Sequence, residues 1–238
     1  MATTTTHAPL RSVQPTRRSR VGWTAVVLTS LAIAVYAVSP YLMRSLESLA
    51  ADDVGVASGY AGRPAPVLVA FYAHVCAGGV ALLVGPTQFW AGLRRRRPRV
   101  HRTLGRVYLG AVAVAGVAAL ALAPFNTAGM VGFFGFGSLA VLWLYTGWRG
   151  YRSIRAGDVR SHQAWMIRSF ALTYAAVMLR LWVGVLIAIQ VPFTFDVDAA
   201  FDNAYAAVPF LCWLPNLVVA EWLVRRRGLP SLRLSVDA

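Results

Sequence analysis

Two histidines of this chain stand in matching surroundings. His101 lies in RRRRPRVHRTLGRVY (residues 94–108) and His162 in RGYRSIRAGDVRSHQAWMIRSF (residues 149–170), sixty-one positions later. Each follows a run of arginines and is itself followed, five or six residues on, by another, Arg106 or Arg168. Imidazole ligates metals and carries protons, while guanidinium binds carboxylates and phosphates in a planar fork. One chemistry for this pattern is b-type haem, with His101 and His162 as axial ligands and the arginines on the propionates. The other is an anion site for a phospholipid headgroup, a phosphate or a carboxylate substrate.

A second pair of polar residues sits deeper in apolar sequence. At 100° per residue, Ser169, Thr173 and Arg180 fall within about 20° of His162, so one polar stripe runs along this helix and ends in an arginine. A charge buried among apolar residues is costly unless it faces a protein interior, which makes Arg180 a functional-site candidate. On another apolar stretch, His74 shares a face with Gly78, Ala81, Gly85, Gln88 and Gly92, at a depth expected to match that of Arg180. His101 in turn shares a face with Gly105, Tyr108, Val112, Ala115 and Ala119, which reads as a packing seam. No acidic residue lies deep in an apolar stretch, so the partner of Arg180 must be a loop aspartate, a backbone or hydroxyl oxygen, water or an anionic ligand. Glu221 is placed to neutralise one arginine near the basic end. There is no CxxC, no HExxH and no paired-carboxylate signal, and three scattered histidines without a carboxylate argue against a metal-dependent hydrolase. GFFGFG (residues 132–137) has no preceding strand and is rejected as a nucleotide fingerprint. Cys76 and Cys212 read as small buried side chains. No catalytic residue is identified, and whether the chain is an enzyme is left open.

The elements that must position these groups follow from composition. Of 238 residues, 58% are hydrophobic and 13% charged, and the net charge is +14; a soluble domain carries about 25% charged residues. The mean hydropathy is +0.57. Six apolar stretches, each near the roughly 20 residues needed to cross a bilayer as a helix, run approximately over residues 21–43, 67–93, 103–123, 131–148, 164–190 and 204–224. The expected fold is all-α, a polytopic transmembrane bundle of about six helices. Residues 1–20 form a basic leader expected to be disordered, 21–224 the six-helix domain, and 225–238 a basic tail. The first stretch follows too long a leader, and is itself too long, for a secretory signal core, and reads as a retained helix. Pro86 and Pro215 are positioned to break the second and sixth helices.

Every one of the 23 basic residues is arginine, and twenty fall in the N-terminal leader, the second-to-third and fourth-to-fifth connections with their flanks, and the C-terminal tail. The positive-inside rule then puts both termini in the cytoplasm and the basic loops on an anionic inner leaflet. Topology accounts for the charge, so a nucleic-acid partner is set aside. The expected location is the bacterial cytoplasmic (inner) membrane. A transport pathway through so few helices calls for a homodimer.

The order of motifs, His74, Gly85-Pro86, Gln88-Phe89, an arginine run, His101-Arg102, Leu104-Gly105-Arg106, Tyr108, then His162, Trp165-Met166, Arg168, Phe170-Ala171-Leu172-Thr173 and Arg180, resembles the bacterial predicted-membrane-protein family called domain of unknown function 2306. The resemblance covers about residues 65–185. It implies a membrane protein and brings no activity, which leaves two functional classes: a haem-binding redox protein, and a transporter or binding protein for a small anion or lipid, with a non-catalytic membrane component as the residual reading.

Overall fold

Every regular element in the computed structural model, which describes residues 17–231, is helical. The expected leader falls largely, and the end of the basic tail wholly, outside the described residues. Six passes are long and apolar enough to cross a membrane. The first is α1 (Arg17–Met43) and the second α4 (Ala65–Val84), with the short α2 (Leu46–Ala51) and α3 (Ala57–Tyr60) between them. A 3-10 helix (Gly85–Phe89) and α5 (Ala91–Arg96) then lead into α6 (Pro98–Leu122). The fourth pass is α7 (Gly129–Arg155). The last two are each bent into two pieces, α8 (Val159–Thr173) with α9 (Ala175–Thr194), and α10 (Val197–Leu211) with α11 (Leu214–Arg226).

The helices overrun the apolar stretches at most ends because polar and basic residues continue the hydrogen-bonded spiral beyond the hydrocarbon zone. Proline explains two of the breaks. Pro86 lacks the N–H that would continue α4, and the chain tightens into the 3-10 turn. Pro209 and Pro215 flank the bend after Leu211, where the Pro209 carbonyl accepts a hydrogen bond from Trp213 Nε1 at 2.8 Å instead of from the next turn. The third break, at Tyr174, was not expected. The Thr173 hydroxyl donates back to the Ser169 carbonyl at 3.0 Å, and Val177 N donates to the Tyr174 carbonyl three residues back; such back-bonding bends helices.

α6 packs between α4 and α7, α7 continues to α8 and α10, α8 packs on α11, and α1 lies at the periphery against α4. Small residues set the closest approaches: a Cβ on Gly135 of α7 would meet the backbone of Pro209 at 2.8 Å. The core centres on Tyr108, Val112, Ala115, Trp143, Leu172 and Val208. A separate cluster at the end away from the arginine-rich loops joins α2 and α3 to α4 through Leu49, Ala57, Tyr60 and Phe71. The turn between α7 and α8 is formed by Gly157 at φ 78°, and Asp158 caps α8, accepting from Ser161 N at 2.9 Å.

Candidate functional site

Polar groups form a column through the bundle. At its middle, Tyr108 of α6 is fully buried. Its hydroxyl lies 2.9 Å from Ser169 Oγ and 2.8 Å from Thr173 Oγ1. Trp143 Nε1 of α7 donates to the same Thr173 oxygen at 2.9 Å. Three passes are thereby tied through hydroxyls and an indole N–H, with each group satisfied. The face of His101 thus carries a hydrogen-bonding centre as well as a packing seam. The network also gives the repeat a structural meaning. Tyr108 stands seven residues beyond His101, and Ser169 seven beyond His162. Equivalent positions of the repeat therefore meet across the bundle, and the two histidines flank the same line two turns nearer the basic loops.

At that basic end the histidines differ. His162 Nδ1 donates to the Gly150 carbonyl at 2.8 Å. His101 Nδ1 is buried and has no hydrogen-bond partner among the described residues. The counterpart of Gly150 in the first repeat is Phe89, at the end of the 3-10 turn, and among the described residues no hydrogen bond from His101 mirrors the Gly150 contact. Gln88 lies beside Gly105, where a Cβ would meet Gln88 Oε1 at 3.1 Å. Neither arginine of the repeat is held at the histidines. Arg106 is exposed. Arg168, with its side chain 5% exposed, donates from Nε and Nη2 to Glu221 Oε2 at 3.0 and 2.7 Å. Its guanidinium also stacks on Trp165 at 4.7 Å from the ring centroid.

The opposite half of the column opens into a cavity of about 290 Å³. Both His74 and Arg180 line it, together with Thr173 and Trp143 from the network below. His74 Nδ1 is 3.0 Å from the Ala115 carbonyl. Since a carbonyl only accepts, Nδ1 is the donor, and the neutral ring keeps its lone pair on Nε2. Arg180 donates from Nη1 to Ala176 O of its own helix at 2.9 Å. Among the described residues no carboxylate comes within 4.0 Å of it. Tyr41, Tyr60 and Tyr205 add hydroxyl-bearing rings, and Asn126 and Thr127 further polar groups, to a mostly apolar wall.

The six residues singled out in the sequence therefore separate into different settings. His74 and Arg180 share one cavity; His101 and His162 sit at the other end of the column; Arg168 is paired internally; Arg106 is exposed. Sequence reasoning overlooked Trp143 and the three cavity tyrosines. The available signal was that a Tyr or Trp in a membrane-spanning helix carries a polar atom that needs a partner. Among the described residues no cluster of three or more His, Cys, Asp or Glu is positioned to hold a metal ion.

Residues 71–224 match the family described as predicted membrane protein (DUF2306), and the chain belongs to that family. With six apolar helices, it is a multi-pass membrane protein. No curated protein and no solved structure matches it.

Proposed function

We propose that this member of the DUF2306 family binds a small ligand with an anionic head and an apolar body in the cavity at Arg180 and His74. One observation carries the reading: Arg180 is a cation inside a membrane bundle, lining a cavity, with no carboxylate within 4.0 Å among the described residues. A fixed charge in that setting costs a few kcal/mol unless an anion or water joins it. An acid head seated on the guanidinium supplies the missing partner, and the apolar walls accept the body. The arginine-rich loops face the cytoplasm by the positive-inside rule, which places the cavity in the outer half of a bacterial cytoplasmic membrane. The role is binding or transfer, with no catalytic group required.

A haem-based redox role is the second reading, favoured by the matched depth of His101 and His162 and by the orphan Nδ1 of His101. It is weakened by Arg168, which is committed to Glu221 and not free for a propionate.

The test is ligand binding to the detergent-purified protein, using decanoate and decanol as probes of equal length. Decanoate binds and decanol does not, and Arg180→Gln weakens decanoate at least tenfold while Arg102→Gln leaves it unchanged. Equal affinity for acid and alcohol, or equal effects of the two substitutions, overturns the anion reading. A Soret band after haem supplementation that disappears in His162→Ala moves the assignment to redox.

A further inference from the structure

The cavity has two candidate routes of entry, from water past the end of the bundle or sideways from the bilayer, and the packing distinguishes them. The end away from the basic loops is covered. α2 and α3 fold over it, burying Leu46, Leu49, Ala57 and Tyr60 against Phe71 and Leu122. Val56 N donates to the Tyr41 hydroxyl at 3.3 Å, tying this cap to the top of α1. Val56, Tyr41 and Tyr60 all line the cavity from above.

The side is different. α1 and α9 run in the same direction, and they are joined toward the basic end, where the Thr29 hydroxyl meets the Tyr174 hydroxyl at 2.8 Å. About a turn further along, Ala34 packs with Val177 and Leu82, with Ile33 and Ala176 beside them. Beyond that level Ala37 of α1 and Arg180 of α9 both line the cavity, and among the described residues no hydrogen bond joins the two helices there. Val38, the next residue of α1, turns toward α4, since a Cβ on Gly79 would meet its Cγ2 at 2.7 Å. Ala37, on the same side as Ile33, therefore borders α9. Tyr36 next to it is 70% exposed on the bundle surface, yet lies within electrostatic reach of Arg180. Arg180 itself is only half-buried, beside an α1–α9 seam that no hydrogen bond closes at that level among the described residues.

Resting on the binding role argued above, we propose that the ligand is a single-chain amphiphilic acid that enters from the bilayer between α1 and α9, its carboxylate on Arg180 and its tail left in the seam. A cavity of about 290 Å³ lies at the small end of ligand pockets, which run roughly 300–1,000 Å³, so it suits a head and the first part of one chain, with the rest of the tail outside.

Spin-labelled stearic acids bound to the protein in lipid nanodiscs test this directly. The label at carbon 5 is immobilised, whereas the label at carbon 16 moves like bilayer lipid. If both are immobilised, the tail lies wholly inside and the seam is not used. Two substitutions separate route from site. Ala37→Trp slows the association of palmitate at least tenfold more than that of butyrate. Gly78→Leu, at a cavity position where an added Cβ meets nothing within 4 Å, removes both. Palmitate uptake at the wild-type rate in Ala37→Trp overturns the lateral route alone. The anion-binding role falls only if Arg180→Gln also leaves butyrate and palmitate binding unchanged.

Discussion

Removing one partner of the Arg168–Glu221 pair and then both is the perturbation that separates a structural latch from a ligand-binding arginine. The Arg168 side chain is 5% exposed and that of Glu221 23%. Two hydrogen bonds converge on Glu221 Oε2, a third donor contact runs from Arg168 Nη2 to the Pro230 carbonyl at 3.4 Å, and Glu221 Oε1 has no hydrogen bond. Breaking a buried pair by deleting one partner costs about 3–5 kcal/mol, chiefly from the charge left behind. Glu221→Gln keeps an acceptor and the site is partly solvated on the glutamate side, which reduces the expected loss to about 2–3 kcal/mol. Arg168→Met is milder, about 1–2 kcal/mol, because Arg225 Nε already lies 3.8 Å from Glu221 Oε1 and takes over the carboxylate. The double substitution Arg168→Met with Glu221→Gln leaves neither charge, so it costs less than Glu221→Gln alone. The measurement is unfolding in mixed detergent micelles as the fraction of denaturing detergent rises, analysed as a double-mutant cycle. Additive losses would refute the reasoning, since they would mean that the two groups do not depend on each other. Ligand stabilisation that survives in the double variant fixes Arg168 as a latch between α8 and α11.

Two further outcomes follow from the geometry. Tyr108→Phe strips Ser169 Oγ of its phenol partner while Thr173 keeps Trp143, and the same titration should show a loss of about 1–2 kcal/mol; no change would mean that the hydroxyl network does not join the helices. Asp158, in the turn before α8, has its carboxyl held below the ordinary value of 3.8 by the Ser161 side chain first and the Ser161 N–H second. A depressed folded-state value means that the charged cap stabilises fully above 3.8 and fades as pH falls through the lower folded value; the stability gap between the native chain and Asp158→Ala should therefore narrow with acidification below that point, and a constant gap would remove the charge from the explanation.

The six passes were legible because a bilayer enforces length and apolarity on each helix separately, and the sequence carries both within continuous windows. Helix faces were legible for the same reason: a fixed 100° step places Ser169, Thr173 and Arg180 on one stripe whatever the neighbours are. Assembly between helices was not. The meeting of Tyr108 with Ser169 joins residues on different passes, and the break at Tyr174 depends on a hydroxyl that either bonds back to its own helix or outward to another. The Gly150 carbonyl holds His162, and among the described residues no matching contact joins His101 to Phe89. A repeat in sequence therefore gave two histidines in different states, and only the second is anchored.

The contrast between the two ends of the column is what favours the cavity over the basic loops as the place where a ligand sits. Arginine is abundant at the basic end, and the buried arginine there, Arg168, already has its carboxylate. In the other half Arg44 pairs with Asp52, whereas Arg180 has no carboxylate within 4.0 Å among the described residues and donates to a carbonyl of its own helix. A carbonyl dipole offsets part of a guanidinium's charge and leaves donors of its planar fork available. Holding an unpaired cation in that position costs stability whenever the cavity is dry, so removing the charge has opposite consequences in the two states. Arg180→Gln should stabilise the ligand-free protein or leave it unchanged, and it should abolish the gain that an amphiphilic acid confers on the native chain, whereas a purely structural arginine would destabilise both when lost.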